Sequence, residues 1–475
     1  MKKNDYQVII VGGSIAGLTL AHCLQRMGIE HIILEKAKNP APQLGASIGI
    51  LPNGARVLEQ LGLYSHIEEY TEPLSRSNVT LPSGFSFSSD YVNILAERFG
   101  FPLAFLDRKI MLDILFNNYP DPDKIRLGEK VTMVETLSDG VAVHTATGRV
   151  YRGDFVVGSD GVHSIIRKEI WRALQTTIPK KTLNKEKTSL TAEYRCIFGI
   201  SSDIPELKLG EQVNALFDGL TIVTVHGKKG RIYWFVIQKL KEKYVYPHCP
   251  RYTPTDTSTA AESLRNVTFY KNVTFGSVWD KRETASMTIL EENTFKIWYH
   301  GRSVLVGDSV HKMTPNFGQG ANMAIEDAAA LANILQECAY SSKLTTPTET
   351  EITSILRQYY EVRYPRVRSI YQCSKLVTRL QARDGLIYAF LTRYVVPYAG
   401  DAPAEMSSRV IANGAKCNFL PDPKRSGVGW TTYAKTQRQL SWSSLLSVDD
   451  QIVLFRFAME LRPPGSSTQI SHSQL

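Results

Sequence analysis

The sequence predicts a mixed α/β (α+β) protein: a βαβ-type domain that carries an inserted, mostly antiparallel sheet and ends in a helical region. Three patterns predict it. An apolar run meets a glycine turn and a helix near the N-terminus, an alternating aromatic stretch fills the middle of the chain, and two long helical patterns follow. The chain has 475 residues, of which 43% are hydrophobic and 21% charged, as in ordinary globular proteins.

The first element is a strand, a tight turn and a helix. Residues 8–11 (VIIV) form a β-branched run, residues 12–17 (GGSIAG) form the turn, and apolar residues then recur at three-residue spacing until Gly28. A second apolar strand follows at residues 32–34. Together these patterns predict the opening unit of a Rossmann-like dinucleotide-binding fold.

The chemistry of this unit follows from its small residues and one acid. Gly12, Ser14 and Gly17 let the backbone approach a pyrophosphate, and amides at the helix N-terminus donate to its oxygens. Glu35 lies 18 residues after Gly17, where its carboxylate can accept hydrogen bonds from ribose hydroxyls. NAD and FAD both present these groups, so this unit leaves both open.

Two further strands are predicted to deliver aspartates to the site. Residues 149–158 run into Asp160, and residues 303–307 run into Asp308. Between them, residues 185–300 are rich in Tyr, Val, Thr and Phe with alternating stretches, which predicts an inserted antiparallel sheet that binds substrate.

The choice between NAD and FAD depends on residues 307–322 (GDSVHKMTPNFGQGAN). A buried strand brings Asp308 to a ribityl or ribose hydroxyl, while Gly318 and Gly320 open a helix whose amides face an isoalloxazine carbonyl. This arrangement favours FAD. For His311 two interpretations stay open, packing beneath the flavin edge or contacting it.

Helical spacing is predicted at residues 320–339 and 349–383. The predicted domain division is an FAD-binding domain, a substrate-binding sheet domain, a helical region and a disordered polar tail. These parts cover, in that order, residues 1–184 with 301–345, residues 185–300, residues 346–462, and residues 463–475.

Composition excludes several classes of protein. The net charge of +9 is spread along the chain without basic blocks, so no nucleic-acid partner is expected. The six cysteines form no CxxC pair, so no metal site is expected and a reduced intracellular compartment is favoured. No apolar run has the length of a membrane span, but residues 386–398 (LIYAFLTRYVVPY) suit either a membrane surface or a buried helix end.

Three motifs together resemble the FAD-dependent monooxygenases of the para-hydroxybenzoate hydroxylase type, the group A flavoproteins. They are GGSIAG with Glu35, residues 158–167 (GSDGVHSIIR), and the run at 307–322. Within this group the chain is most similar to fungal epoxidases of indole-diterpene and meroterpenoid biosynthesis. That closer resemblance rests on residues 45–54 (GASIGILPNG), 194–199 (YRCIFG) and 419–430 (FLPDPKRSGVGW).

The resemblance implies roles for individual residues. It implies FAD contacts from Glu35, Gly49, Arg108, Asp308 and Ala321, with Arg108 reaching the pyrophosphate from the side opposite the glycine turn. The segment that contains Asp160 is linked to both FAD and the nicotinamide donor in related hydroxylases. Arg195 matches a position regarded as catalytic in the fungal epoxidases.

The activity implied is that NAD(P)H reduces FAD and the reduced flavin captures O2 as a C4a-hydroperoxide, which transfers oxygen to an electron-rich substrate. The fungal resemblance favours epoxidation of a terminal prenyl double bond in a farnesyl- or geranylgeranyl-bearing intermediate, in the cytoplasm or at the surface of an endomembrane. Aromatic hydroxylation is the alternative. A flavin halogenase is disfavoured because no Trp-x-Trp is present. A non-catalytic redox sensor or NAD-binding protein is a further class, which the three FAD motifs disfavour.

Overall fold

The computed structural model describes residues 4–43, 45, 47–338, 340 and 346–436. The strands, in chain order, are β1 (Tyr6–Val11), β2 (His31–Glu35), β3 (Ser47–Ile50), β4 (Arg76–Thr80), β5 (Ser86–Ser89), β6 (Ala104–Asp107), β7 (Ile125–Leu127), β8 (Val131–Thr136), β9 (Val141–Thr145), β10 (Val150–Gly158), β11 (Thr191–Ser201), β12 (Glu211–Phe217), β13 (Leu220–His226), β14 (Ile232–Val245), β15 (Thr268–Tyr270), β16 (Val273–Thr274), β17 (Arg282–Thr294), β18 (Tyr299–His300), β19 (Ser303–Leu305) and β20 (His311–Lys312). The helices are α1 (Ile15–Arg26), α2 (Pro52–Gln60), α3 (Tyr64–Glu68), α4 (Tyr91–Phe99), α5 (Arg108–Asn117), α6 (Ile165–Ala173), α7 (Lys180–Lys187), α8 (Pro254–Glu262), α9 (Phe275–Asp280), α10 (Gly320–Glu337), α11 (Glu349–Gln381), α12 (Leu386–Tyr394), α13 (Ala402–Ala412) and α14 (Gly429–Thr436).

The first large sheet has the order β18-β19-β10-β1-β2-β7, with β9 and β8 attached beside β10. Strand β1 runs parallel to both β2 and β10, and β10 runs parallel to β19. The predicted βαβ unit is therefore confirmed. Since the carboxyl ends of parallel strands meet at one edge of a sheet, the residues after β1, β2, β10 and β19 gather there.

The second large sheet has the order β20-β17-β11-β14-β13-β12-β4-β5 and is antiparallel except where β12 runs beside β4. This sheet includes β4, β5 and β20, which lie outside the range 185–300. Strand β4 joins it through a pairing of Arg76 with Glu211, which are far apart in sequence, so no local pattern indicates the contact. Helices α8 and α9 cover the outer face, where Trp234 and Phe275 contact each other in the core.

The C-terminal helices begin with α11, which is 33 residues long and starts at a capping box formed by Thr348 and Glu351. Its extent agrees with the helix predicted at 349–383. No helix in the described part of the chain is long and apolar enough to cross a membrane. The tail predicted to be disordered, residues 463–475, lies outside the described residues.

Candidate active site

A cavity of about 830 Å³ lies between the carboxyl edge of the first sheet and the inner face of the second sheet. Every residue predicted to bind the cofactor lines this cavity except Gly17, which lies directly beneath the glycine turn. A cavity of this size is typical of sites that enclose small organic molecules. The structure therefore brings together residues that span much of the chain.

The glycine turn leaves no space for a side chain at Gly12 or Gly17. Gly12 has φ +107°, and a Cβ atom there would lie 2.5 Å from the carbonyl oxygen of Ser159. A Cβ atom on Gly17 would lie 2.0 Å from the carbonyl oxygen of Gly12. Helix α1 has no side-chain cap, and Ser14 Oγ accepts a hydrogen bond from Arg108 Nη2 at 2.8 Å. Its first amides remain available to an anion.

Glu35 and Arg108 place opposite charges beside this turn. Glu35 Oε2 accepts from the amide of Gly13 at 2.7 Å, and Oε1 accepts from the amide of Ala37 at 2.8 Å. Each carboxylate oxygen keeps a second lone pair that a ribose hydroxyl can use. Burial lowers the pKa of Arg108, while Asp308 and Glu35 oppose that shift. Arg108 reaches the glycine turn itself, where a guanidinium suits a pyrophosphate.

Asp160 offers a buried acceptor to the cavity. Its Oδ2 accepts from the amides of Ile165 at 2.6 Å and Ile166 at 3.2 Å, whereas Oδ1 is buried without a partner among the described residues. Burial raises the pKa of Asp160, and these amides oppose the rise. Arg167, next in the same segment, donates to the carbonyl oxygens of Ser309 and Val162 and so joins this segment to the turn at Asp308.

The turn after β19 presents Asp308 to the cavity, with Lys312 Nζ 2.5 Å from Asp308 Oδ2. His311 points the other way: it is buried, lies 2.6 Å from Asp327 Oδ2, and packs against the ring of Trp298. His311 is not among the residues that line the cavity, so packing beneath the flavin edge and contacting it both stay predictions.

The N-terminus of α10 faces the cavity. A Cβ atom on Gly320 would meet nothing within 4 Å, and α10 has no side-chain cap. Asn322 in its first turn accepts from the amide of Leu51 at 3.1 Å and donates to the carbonyl oxygens of Gly49 at 3.0 Å and Gly318 at 2.8 Å. No sequence pattern marked Asn322 for this role, because its partners come from a distant strand and turn.

A buried ionic network supports this edge from behind. Arg363 donates to Asp327 Oδ1 and to Glu326 Oε2, both at 2.7 Å, and Arg366 donates to Glu326 Oε1 at 2.6 Å. Asp327 Oδ2 also accepts from the amide of Gly307 at 2.8 Å, which fixes the turn that carries Asp308. Burial alone would raise the pKa of Asp327, but His311 and Arg363 lower it to about 2.

Arg195 is the predicted site residue that the structure places elsewhere. Successive side chains of a strand point to opposite faces, and Cys196 and Phe198 on the same strand line the cavity. Arg195 lies on the outer face, where its Nε donates to Gln238 Oε1 at 3.1 Å and its guanidinium lies 5.8 Å from the ring centre of Tyr252. A catalytic residue must contact substrate or cofactor, so the prediction for Arg195 does not agree with this position.

The second half of the cavity is mostly apolar. Its walls come from the second sheet, from α4 and from β6 with the residues before it. These walls include Tyr91, Leu95, Leu103, Phe105, Phe198, Val223, Phe235 and Ile237.

The residues of the first half fit FAD. The glycine turn admits a pyrophosphate, the two uncapped helix ends and Arg108 suit its charge and an isoalloxazine carbonyl, and the buried Asp160 Oδ1 needs a donor. Glu35 lines the same half and offers carboxylate oxygens that can accept from a ribose.

Comparison with known proteins agrees with this geometry. The FAD binding domain family matches residues 5–372. The chain is 62% identical over 461 residues to FAD-dependent monooxygenase paxM of Penicillium paxilli, covering 97% of this chain and 95% of that protein. It is 48% identical over 433 residues to FAD-dependent monooxygenase andE of Emericella variicolor, covering 91% and 92%.

Solved structures show the same fold. The crystal structure of Klebsiella pneumoniae HpxO complexed with FAD and uric acid matches with a TM-score of 0.69 at 22% identity, covering 87% of this chain and 98% of that one. The predicted fold class and cofactor are thereby confirmed. The chain belongs to the FAD-dependent monooxygenases that carry this FAD binding domain.

Proposed function

We propose that this monooxygenase epoxidises the terminal prenyl double bond of a farnesyl- or geranylgeranyl-bearing intermediate in fungal terpenoid or meroterpenoid biosynthesis. One observation carries the proposal: the apolar half of the cavity continues directly from the half that fits FAD. Aliphatic and aromatic side chains there, such as Phe198, Val223 and Phe235, suit a long hydrocarbon chain. The similarity to curated fungal monooxygenases supports it.

The residues of the first half are proposed to hold the cofactor. Glu35 accepts from the ribose, Arg108 and the amides of α1 bind the pyrophosphate, and Asp308 accepts from the ribityl chain. The amides of α10 face an isoalloxazine carbonyl. FAD, reduced by NAD(P)H, supplies an oxygen atom from O2 to an electron-rich substrate.

The walls of the second half are proposed to orient the substrate and exclude water. A dry cavity prevents activated oxygen from escaping as peroxide, and it demands little acid-base chemistry from side chains. We propose the domain division accordingly, with the predicted sheet domain at 185–300 extended by β4, β5 and β20.

Aromatic-ring hydroxylation is the competing activity. Purified protein is incubated with FAD, NADPH, ¹⁸O2 and a panel of prenylated aromatic compounds. We expect a product that carries one ¹⁸O on the prenyl chain, located by NMR and fragmentation. A label on the ring assigns the protein to the hydroxylases, and a complete absence of oxygenated product contradicts both activities.

We also propose that α12 contacts a membrane surface. Leu386, Phe390 and Tyr394 recur every four residues on one face, and the exposed fractions are 90% for Leu386 and 59% for Phe390. The opposite face is held by Thr392, whose Oγ1 donates to the carbonyl oxygen of Leu380. Arg393 lies beside this face, as is common in helices that bind lipid surfaces. A prenylated substrate partitions into bilayers, so such contact would deliver it near the cavity.

Flotation with vesicles of phosphatidylcholine and phosphatidylserine tests this surface. We expect the protein to float, and the double variant Leu386→Ser with Phe390→Ser to lose most of that binding. Val362→Ser is the matched control, because Val362 is an exposed apolar residue on α11, away from this helix face. Equal flotation of all variants, or a concentration-dependent dimer that the double variant abolishes, contradicts the membrane proposal.

A further inference from the structure

Two amide side chains interrupt the apolar wall of the substrate half. Gln212 and Asn214 lie two residues apart on β12, so they point to the same face of the sheet, and both line the cavity. Val213 and Ala215 point to the other face and join the core beneath α8 and α9. The alternation of the strand therefore turns the amide pair toward the substrate.

On the side of β13 the neighbours of the pair are apolar. Gln212 pairs across the sheet with Val225, and Asn214 pairs with Val223. Cross-strand partners share a face, so each amide lies beside a valine. A polar group placed among apolar side chains lowers stability unless it finds a hydrogen-bond partner. Two such groups in one wall therefore indicate a contact with a polar group of the substrate.

The hydrogen bonds of the pair lead from Gln212 through Asn214 to Ser77. Gln212 Nε2 donates to Asn214 Oδ1 at 2.9 Å, and Asn214 Nδ2 donates to Ser77 Oγ at 3.1 Å on the neighbouring strand β4. Asn214 is buried, so these bonds hold both amide groups in place at the cavity wall. Gln212 Oε1 has no partner among the residues that the structure describes. The free group of the chain is thus an acceptor at the cavity.

The hydrogen-bonded side chains of Gln212, Asn214 and Ser77 are all neutral. They offer no positive charge to a carboxylate or phosphate, so burying such an anion beside them would be unfavourable. An unpaired amide oxygen instead accepts a hydrogen bond from an N–H or O–H group.

We propose that Gln212 recognises the polar head group of the substrate by accepting a hydrogen bond from its N–H or O–H donor, with Asn214 and Ser77 as positioning residues. This inference rests on the proposed function, since it assigns the head group of a prenylated substrate to this part of the wall. The hydrocarbon chain then occupies the apolar remainder of the cavity.

The test compares a prenylated indole with its benzofuran analogue, which lacks the N–H at nearly the same size. Affinity is measured from the change in fluorescence of enzyme-bound FAD, and kcat/KM from the oxygenated product. We expect the wild-type holoenzyme to prefer the indole about tenfold, because the analogue occupies the cavity and leaves the Gln212 acceptor unpaired. Gln212→Leu is expected to abolish the preference, because the variant has no acceptor for the indole to pair with or for the analogue to leave unpaired.

Gln238→Leu is the matched control. Gln238 lies on β14 of the same sheet but faces outward, where it pairs with Arg195, so its replacement should keep the preference. FAD content and circular dichroism verify that each variant is folded. A preference that persists in Gln212→Leu, or that the wild type lacks, overturns the inference.

The two proposals fail in different ways. If the protein binds the indole more tightly through Gln212 but forms no oxygenated product, the proposed activity is contradicted and the role of Gln212 in head-group recognition is supported. Oxygenation of indole and benzofuran at equal rates and equal affinities upholds the activity and contradicts the recognition.

Discussion

The two halves of the cavity are built on different physical principles. The cofactor half consists of backbone groups and polar side chains. Close backbone packing at the glycine turn and the buried network of Glu326, Asp327 and Arg363 hold it in place. The substrate half consists of side chains that project from one face of a sheet, such as Phe198 and Phe235.

This difference determines how each half responds to change. A side-chain substitution cannot replace a backbone amide, so the cofactor half depends on the positions of its turns and helix ends. A change in the residues that support those turns therefore affects the whole cofactor site. A side chain on a sheet face can change while the strand stays paired. We therefore expect substitutions in the first half to affect folding and FAD binding, and substitutions in the second half to affect substrate selectivity.

The largest effect is expected from Arg363→Met. This change leaves the carboxylates of Glu326 and Asp327 buried with fewer counter-charges, which should lower the free energy of unfolding by about 3–5 kcal/mol. Denaturant unfolding measures it. Arg357→Met is the control, because Arg357 is exposed on the same helix α11. Equal stability of the two variants would show that the network does not support the cofactor half.

The same network predicts an acid transition. Burial would raise the pKa values of Glu326 and Asp327, but their arginine and histidine partners lower both to about 2, from ordinary values of 4.5 and 3.8. Because the folded pKa values are depressed, their stabilisation is complete above about pH 4.5 and is lost as the pH falls toward 2. Unfolding curves recorded at several pH values test this, and the acid loss should be smaller in Asp327→Asn.

The next comparison is between Asp308→Ala, in the cavity, and Arg195→Ala, on the outer face of the second sheet. An unpaired cofactor hydroxyl costs about 1–3 kcal/mol, so Asp308→Ala should weaken FAD binding about 10-fold to 100-fold. Arg195→Ala removes a contact to Gln238 outside the cavity and should leave FAD affinity and turnover nearly unchanged. Flavin titration and product formation give both values. A large loss of turnover in Arg195→Ala alone would restore the catalytic role implied by the family resemblance.

A smaller effect is expected from Glu35→Gln. Glutamine keeps the shape but presents an N–H₂ group where the carboxylate accepts from the amides of Gly13 and Ala37. The loss of one charged acceptor should raise the FAD dissociation constant about tenfold without unfolding the chain. An unchanged dissociation constant would remove Glu35 from the ribose site.

The smallest effect is expected from Phe198→Ala in the substrate half. The shortened side chain removes apolar contact from the cavity wall and should lower kcat/KM for a prenylated substrate about fivefold. FAD affinity should stay the same, since Phe198 lies in the apolar half. A parallel loss of FAD would show that the two halves are not independent.

Much of this protein was predictable from local patterns. The strand before Gly12, the acid at Glu35 and the helices at 320–337 and 349–381 follow from short periodic segments, and the structure has them where the sequence indicates. Motifs of this kind are readable because the turn, the helix end and the acid act within a few residues of one another.

Tertiary structure decided the remainder, because it depends on contacts between distant segments. The pairing of β4 with β12 brings Ser77 to Asn214. The side chain of Asn322 joins α10 to Gly49 of β3 and to the turn at Gly318 by hydrogen bonds. Strand register also decided which face each residue takes: it turned Arg195 outward and Gln212 inward. A one-residue shift of register would exchange those faces, and only the packing of the whole sheet against its two neighbouring layers sets the register.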